Sequence, residues 1–307
     1  MHMIREAPFG TYLKEPLHAA AIADALHGEL IGKSITVNRV ATFQSKLQNS
    51  ICYVVGPSDF DDEIERVVIC DKSHLNFVNA TSKILVADPR LAFIQLMRLL
   101  EIDWIRTVNE HFDELGYRRG KGQVHHSCIV ENGVLIGENV EIRPGVILKS
   151  GTVIGHDTYI SDGAIVGTHG PAYYAKDGIK HSYRDIHFGT LHVGNSVEIG
   201  NGSILLKALL GRTHIGSDTI LGNLVHIGHG CEVGTNVWMA ARVTVCGHVK
   251  IDNNVELGAG ATIRDNITIG HNTKVAMGSV VVNNLENNKL VAGVPAKPRI
   301  LNSIGEK

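Results

Sequence analysis

The chain has 307 residues, a formal net charge of −2 and 20% charged residues, a balance that excludes a nucleic-acid or anionic-membrane partner held by bulk charge. Its five cysteines (Cys52, Cys70, Cys128, Cys231 and Cys246) are odd in number and lack C-x-x-C spacing, which argues against a disulfide or zinc scaffold. No apolar run approaches the roughly 18 residues of a spanning helix, and the N-terminus lacks the basic-then-apolar layout of a leader, so the expectation is a reduced, cytoplasmic protein with no membrane span.

The first stretch, residues 1–120, reads as a small α/β domain and a candidate nucleotide-binding unit. Leu17 to Leu26 is a helix candidate. Ile64–Cys70 and Ser82–Ala87 are apolar, β-branched runs and read as buried strands. Asp88-Pro89 predicts a helix start, with a capping acceptor followed by proline in the first turn. Phe93, Leu96, Met97 and Leu100 then fall at i, i+3, i+4 and i+7, one helical face. Gly116 to Gly122 is glycine-rich and basic and reads as a linker.

A six-residue beat follows, and it dominates the chain. Val124, Val130, Ile136, Ile142, Leu148, Ile154, Ile160 and Val166 are each six apart. The beat resumes at Val193, Ile199 and Leu205, then runs from Ile215 through Leu221, Ile227, Val233, Met239, Val245, Ile251, Leu257, Ile263, Ile269 and Val275 to Val281. A small or β-branched residue recurs four positions after the aliphatic, as in Val140, Val146, Thr152, Thr158 and Ala164. A period of six gives no helical stripe. It fits short strands joined by tight turns, three to a coil, with the aliphatic inward and the small residue at the corner. The predicted solenoid covers 121–285, and the closing segment is 286–307.

Two interruptions break the beat. The larger, 168–192, carries Tyr173, Tyr174, Lys176, Lys180, His181, Tyr183, Arg184 and His187. A loop of this length in a regular solenoid is usually functional, with aromatics to stack on a ring and cations to meet phosphate. The smaller runs from Leu206 to His214, where the beat slips by four.

Several segments resemble the UDP-3-O-acylglucosamine N-acyltransferases of lipid A biosynthesis, end to end. Val166-Gly167-Thr168-His169-Gly170 opens the insertion as theirs opens, and Phe188 to Gly200 is similar to their re-entry into the coil. Asn223-Leu224-Val225-His226-Ile227-Gly228-His229-Gly230-Cys231-Glu232-Val233-Gly234 is similar to their catalytic segment. The resemblance implies a mainly β fold, a left-handed parallel β-helix of hexapeptide repeats behind the small α/β domain. It implies His229 as general base and, one coil later, the backbone N–H of Gly247 as oxyanion donor. It further implies a homotrimer with sites between subunits, a nucleotide amino sugar as acceptor, and neither a metal nor a covalent enzyme intermediate. Tyr53, Asn223, His226, His248, Tyr173 and Tyr174 are the substrate-binding candidates.

The chain also departs from that family. Gly222 stands where an aspartate orients the base, and Asn266 stands where a second histidine lies. Asp218 and Glu232 are the carboxylates nearest in sequence that could replace the first. Around Tyr53 the uracil-pocket residues are replaced by Gly56 and Asp59. Ten residues follow Lys297, where the family carries helices that hold acyl carrier protein. The expectation is therefore transfer from acyl-CoA, acetyl or another short chain, with Lys297 and Arg299 meeting the CoA phosphates. Acyl-carrier-protein-dependent transfer to UDP-3-O-acylglucosamine is one alternative, and a non-catalytic assembly protein is another. Seventeen histidines weaken any argument from one, and outward slots such as those of His156 and His271 suit solvent-facing imidazoles.

Overall fold

The structure is a computed structural model and describes residues 10–55, 64–114, 120, 122–170, 172–176, 179–183 and 187–299. Gly56, Asp59, Arg184 and most of the expected linker lie outside the described residues. The chain divides into two compact units: residues up to 107 with 171–189 and 209–211, and 108–170 with 190–208 and 212 onward. No helix among the described residues is long and apolar enough to cross a membrane.

In the first unit β1 (Gly10–His18) leads into α1 (Ala19–Ala25), followed by β2 (Glu29–Gly32), β3 (Thr36–Ala41), β4 (Ser50–Tyr53), β5 (Ile64–Cys70) and β6 (Ala80–Leu85). They form one sheet in the order β1-β3-β4-β5-β6-β2, parallel from β3 to β6 and antiparallel at its two edge strands. The helix expected from Leu17 begins two residues later. Pro16 cannot donate to a ladder, and β1 slips register between Tyr12 and Leu17, after which Leu17 and His18 still pair with Val37 and Thr36.

Helix α2 (Pro89–Met97) starts as its sequence dictates, with the Asp88 carboxylate accepting the Leu91 N–H at 2.9 Å and proline at the first helical position. Phe93, Leu96 and Met97 are buried against Ile51, Val67 and Ile69 of the sheet. The insertion supplies an antiparallel hairpin, Ala172–Lys176 with Ile179–Tyr183, to the same unit.

The second unit is a left-handed parallel β-helix of hexapeptide repeats, with three sheets of ten, eight and seven strands among the described residues, parallel except for the last strand of the ten-stranded one. Most strands are two residues long; the second residue points inward and the first outward. Inward residues from Ile142 to Val281 stack in one continuous buried column, and each adds roughly 1.5–3 kcal/mol of transfer free energy. The small corner residues Val140, Val146, Thr152, Thr158 and Ala164 are all fully buried. Thr158 satisfies its hydroxyl by donating to the Gly194 carbonyl at 3.1 Å. The beat continues to the first coil, but Val124 and Val130 are 38% and 42% exposed because they lie on the end strands of their sheets among the described residues.

Helix α3 (Trp104–Glu114) lays its C-terminal half on the seven-stranded sheet, with Val108 and Phe112 buried on Val153 and Leu135. The next outward residues in register are His192 and His214. His192 is buried, and its Nε2 lies 3.1 Å from both His111 Nδ1 and Thr190 Oγ1. Burial, and then His111, pushes the His192 pKa well below the ordinary histidine value. Burial and Arg212 lower that of His214 to about 4. Both imidazoles are neutral when folded and titrate near 6.5 when unfolded. Stability is therefore fully present above about pH 6.5 and is lost as pH falls toward 4, at about 1.4 kcal/mol per pH unit for each extra proton the unfolded chain binds. Thermal unfolding from pH 7 to pH 4 should show a falling midpoint, and His214→Gln should flatten that slope.

Candidate active site

The candidates fall into two groups, one in each unit. In the first, Tyr53 ends β4, and its ring packs on Phe93 with centroids 4.8 Å apart. Tyr174 reaches the same apolar cluster from the insertion hairpin. Its hydroxyl donates to Asp88 Oδ2 at 3.0 Å, and the Arg90 guanidinium lies over its ring at 5.1 Å. Asp88 thus caps α2 with one oxygen and anchors the hairpin with the other. A tyrosine beside a guanidinium can stack a base and meet a phosphate. Tyr173 is a strand residue paired with Ser182; its side chain lies outside the described residues.

In the second unit the stacking of coils assembles the other group. Ile227 pairs with Val245 and Val233 with Ile251, so the turn carrying His229 sits one coil from the turn carrying Gly247. The His248 N–H donates to the His229 carbonyl at 2.9 Å and ties the two turns together. The His229 imidazole lies over Gly247, where a β-carbon would come within 3.0 Å of Nε2 and 3.1 Å of Cε1. Glycine at this position leaves the ring its place. The Gly247 N–H donates to no acceptor among the described residues.

Burial, and then the neighbouring His248, lowers the His229 pKa, while burial alone lowers that of His226. His229 is accordingly a neutral imidazole near pH 7, able to accept a proton. Beside it, an unbonded backbone N–H can donate to a developing oxyanion. His226 is the outward residue of the preceding strand, in register with Ile204 and Thr244.

The remaining candidates have other surroundings. Asn223 Oδ1 accepts from the backbone N–H of Asn201 at 2.9 Å and from its side chain at 3.1 Å, bracketing two coils. Lys297 begins a short exposed strand antiparallel to Leu290–Ala292, and the Arg299 N–H donates to the Leu290 carbonyl, closing the end of the solenoid. Glu232 accepts Arg212 Nε at 3.3 Å. Asp218 is an exposed turn residue with φ 60°. His271 is exposed as expected, whereas His156 is half-buried and its Nδ1 accepts the Glu138 N–H at 2.9 Å.

Repeat and coil define a hexapeptide-repeat acyltransferase, and the bacterial transferase hexapeptide (six repeats) family matches residues 248–283. A UDP-3-O-acylglucosamine N-acyltransferase of Desulfotalea psychrophila is 31% identical over 93% of this chain and 90% of its own length. The chain belongs to that family. A namesake from Rickettsia massiliae is 48% identical over 48% of this chain, a match spanning 42% of that relative's length. Among solved structures, a UDP-N-acetylglucosamine acyltransferase from Campylobacter jejuni superposes with a TM-score of 0.46 at 20% identity, over 58% of this chain and 75% of that one.

Proposed function

We propose that the protein transfers an acyl group from a phosphopantetheine thioester to the amine of a UDP-linked 3-O-acylglucosamine. The observation that carries this reading is His229 stacked over Gly247, a neutral base beside an unbonded N–H. The substrate amine, neutral after its ammonium proton has passed to solvent, attacks the thioester carbonyl. His229 takes the proton the amine sheds, and the Gly247 N–H donates to the oxyanion of the tetrahedral intermediate. Collapse forms the amide and expels the pantetheine thiolate, to which the imidazolium returns its proton. One fixed oxyanion donor is worth about 3 kcal/mol of barrier. The acceptor follows the name of the relative that matches over 93% of the chain. This favours the lipid A acceptor over the short-chain, acyl-CoA reading drawn from the departures. Tyr53, Tyr174 and Arg90 are the proposed nucleotide contacts. His226 and Asn223 are proposed to line the acceptor side.

The test offers UDP-3-O-acylglucosamine with acyl carrier protein thioester in one arm and acyl-CoA in the other, and weighs the product. An added amide-linked acyl group is expected, with carrier-borne acyl the better donor. Turnover of a different nucleotide amino sugar, with none of this acceptor from either donor, overturns the reading.

The proposal includes a homotrimer. Outward positions of the eight-stranded sheet run Ile129, Ile147, Ile165 and Ile204 in register before reaching His226. An isoleucine column on an outer face is poorly suited to water and well suited to the flat sides of two further copies. Light scattering at micromolar concentration should give three chains for the wild type and one for Ile165→Glu. A monomeric wild type removes the intersubunit part of this reading.

A further inference from the structure

We propose that His248 is a positioning residue for His229, holding the base in place where Gly222 offers no side chain to do so. The inference rests on the reading of His229 as the general base. The rings of His229 and His248 meet edge to face, with centroids 4.7 Å apart and planes at 87°. Edge-to-face contact is a favoured arrangement for aromatic pairs and fixes a ring's plane, not merely its location.

The backbone aims His248 at this contact. His248 has φ 57°, the left-handed conformation that the solenoid's turns adopt at this slot of the repeat, as at Arg242, Asn254 and Asn266. Its N–H is bound to the His229 carbonyl at 2.9 Å. Its ring lies on Gly230 of the preceding coil, where a β-carbon would fall 2.5 Å from His248 Nδ1 and 2.7 Å from Cε1. Gly230 itself has φ 67° and donates its N–H to Thr213 Oγ1 at 2.9 Å. The two histidines therefore rest on two glycines, His229 on Gly247 and His248 on Gly230. Each glycine is needed because an imidazole from the adjacent coil occupies the space of its missing side chain.

The titratable groups around the pair have definable effects. Burial lowers the pKa of His248, and Asp265 raises it. Asp265 lies one coil beyond Gly247 in the same corner, and its Oδ2 accepts from Asn266 Nδ2 at 2.6 Å. The flanking thiols Cys231 and Cys246 are held protonated by burial, and the Cys231 Sγ contacts the Cys246 carbonyl at 3.0 Å. Two imidazoles in contact disfavour double protonation, so His248 also keeps His229 neutral in the resting enzyme.

The test uses His248→Asn, because asparagine tolerates the left-handed backbone and Asn266, the equivalent residue one coil on, has φ 58°. His248→Gly, which the same backbone accepts, is the second variant if the first fails to fold. The first readout is independent of turnover: the midpoint of the His229 ring proton in an NMR pH titration should rise toward the ordinary value of about 6.5 in either variant. The second is kinetic: kcat should fall about tenfold to a hundredfold, as a displaced reacting group costs, with KM little changed. The acid limb of kcat/KM should move upward with the NMR midpoint. An unmoved His229 midpoint, or a kcat within about twofold of wild type in a variant that transfers acyl groups, overturns the inference. Absence of transfer by the wild type instead counts against the function reading, and the NMR midpoint then decides the histidine pair alone.

Discussion

His229→Ala should lower kcat by about 10²–10⁴, the range that general-base catalysis contributes, while KM changes little. The loss falls on the transition state because the attacking amine's N–H proton passes to the imidazole as the carbon–nitrogen bond forms. The variant should remain folded. His229 sits in a turn outside the inward column that runs from Ile142 to Val281, and removing its ring leaves a surface notch over Gly247. In the wild type, kcat/KM should rise with pH through an apparent midpoint below the ordinary histidine value, because burial and His248 disfavour the imidazolium. The base must be neutral, so activity is lost as pH falls through that midpoint. The limb that remains in His229→Ala belongs to the substrate amine. A variant that keeps more than about a third of wild-type kcat places proton removal elsewhere.

The solenoid was legible because one physical rule generates it. Each inward slot must be aliphatic, and the slots recur every six residues, so Ile142, Leu148 and Leu221 declare themselves without any neighbour being known. Thr152 and Thr158 were legible as corner residues by the same spacing, and both are fully buried. Asp88-Pro89 was legible because capping is local. What depends on stacking was not. Nothing near residue 248 in the sequence indicates that its ring meets His229, since that contact exists only once one coil lies on the next. Asn223 reads as a substrate contact because it opens the catalytic-like segment, but the bond its amide oxygen makes to Asn201, twenty-two residues earlier, is not visible there. The insertion was visible as a break in the beat. Its attachment through the Tyr174 hydroxyl to Asp88 spans eighty-six residues and leaves no periodic trace.

Gly247→Ala should lower kcat by about tenfold, less than the roughly 10²-fold that a 1 Å misplacement costs, because the His229 ring must give by only a few tenths of an ångström. Alanine retains the backbone N–H, and Gly247 is not among the residues with positive φ, so neither the oxyanion donor nor the local backbone is removed. What changes is space. A methyl carbon at this position would stand 3.0 Å from His229 Nε2 and 3.4 Å from Cδ2, closer than relaxed carbon contacts of about 3.5–4.0 Å. The imidazole must tilt away from the carbonyl that the N–H serves. The consequence is specific: the effect acts through the ring, so it should largely vanish when the ring is absent. In the His229→Ala background, adding Gly247→Ala should cost less than about threefold further, a strongly non-additive cycle of the kind expected for residues that act as a unit. Additive losses would mean that alanine blocks the acyl carbonyl itself, and a Gly247→Ala enzyme retaining more than about a third of wild-type kcat would mean that the His229 ring takes up the methyl without leaving its reacting position.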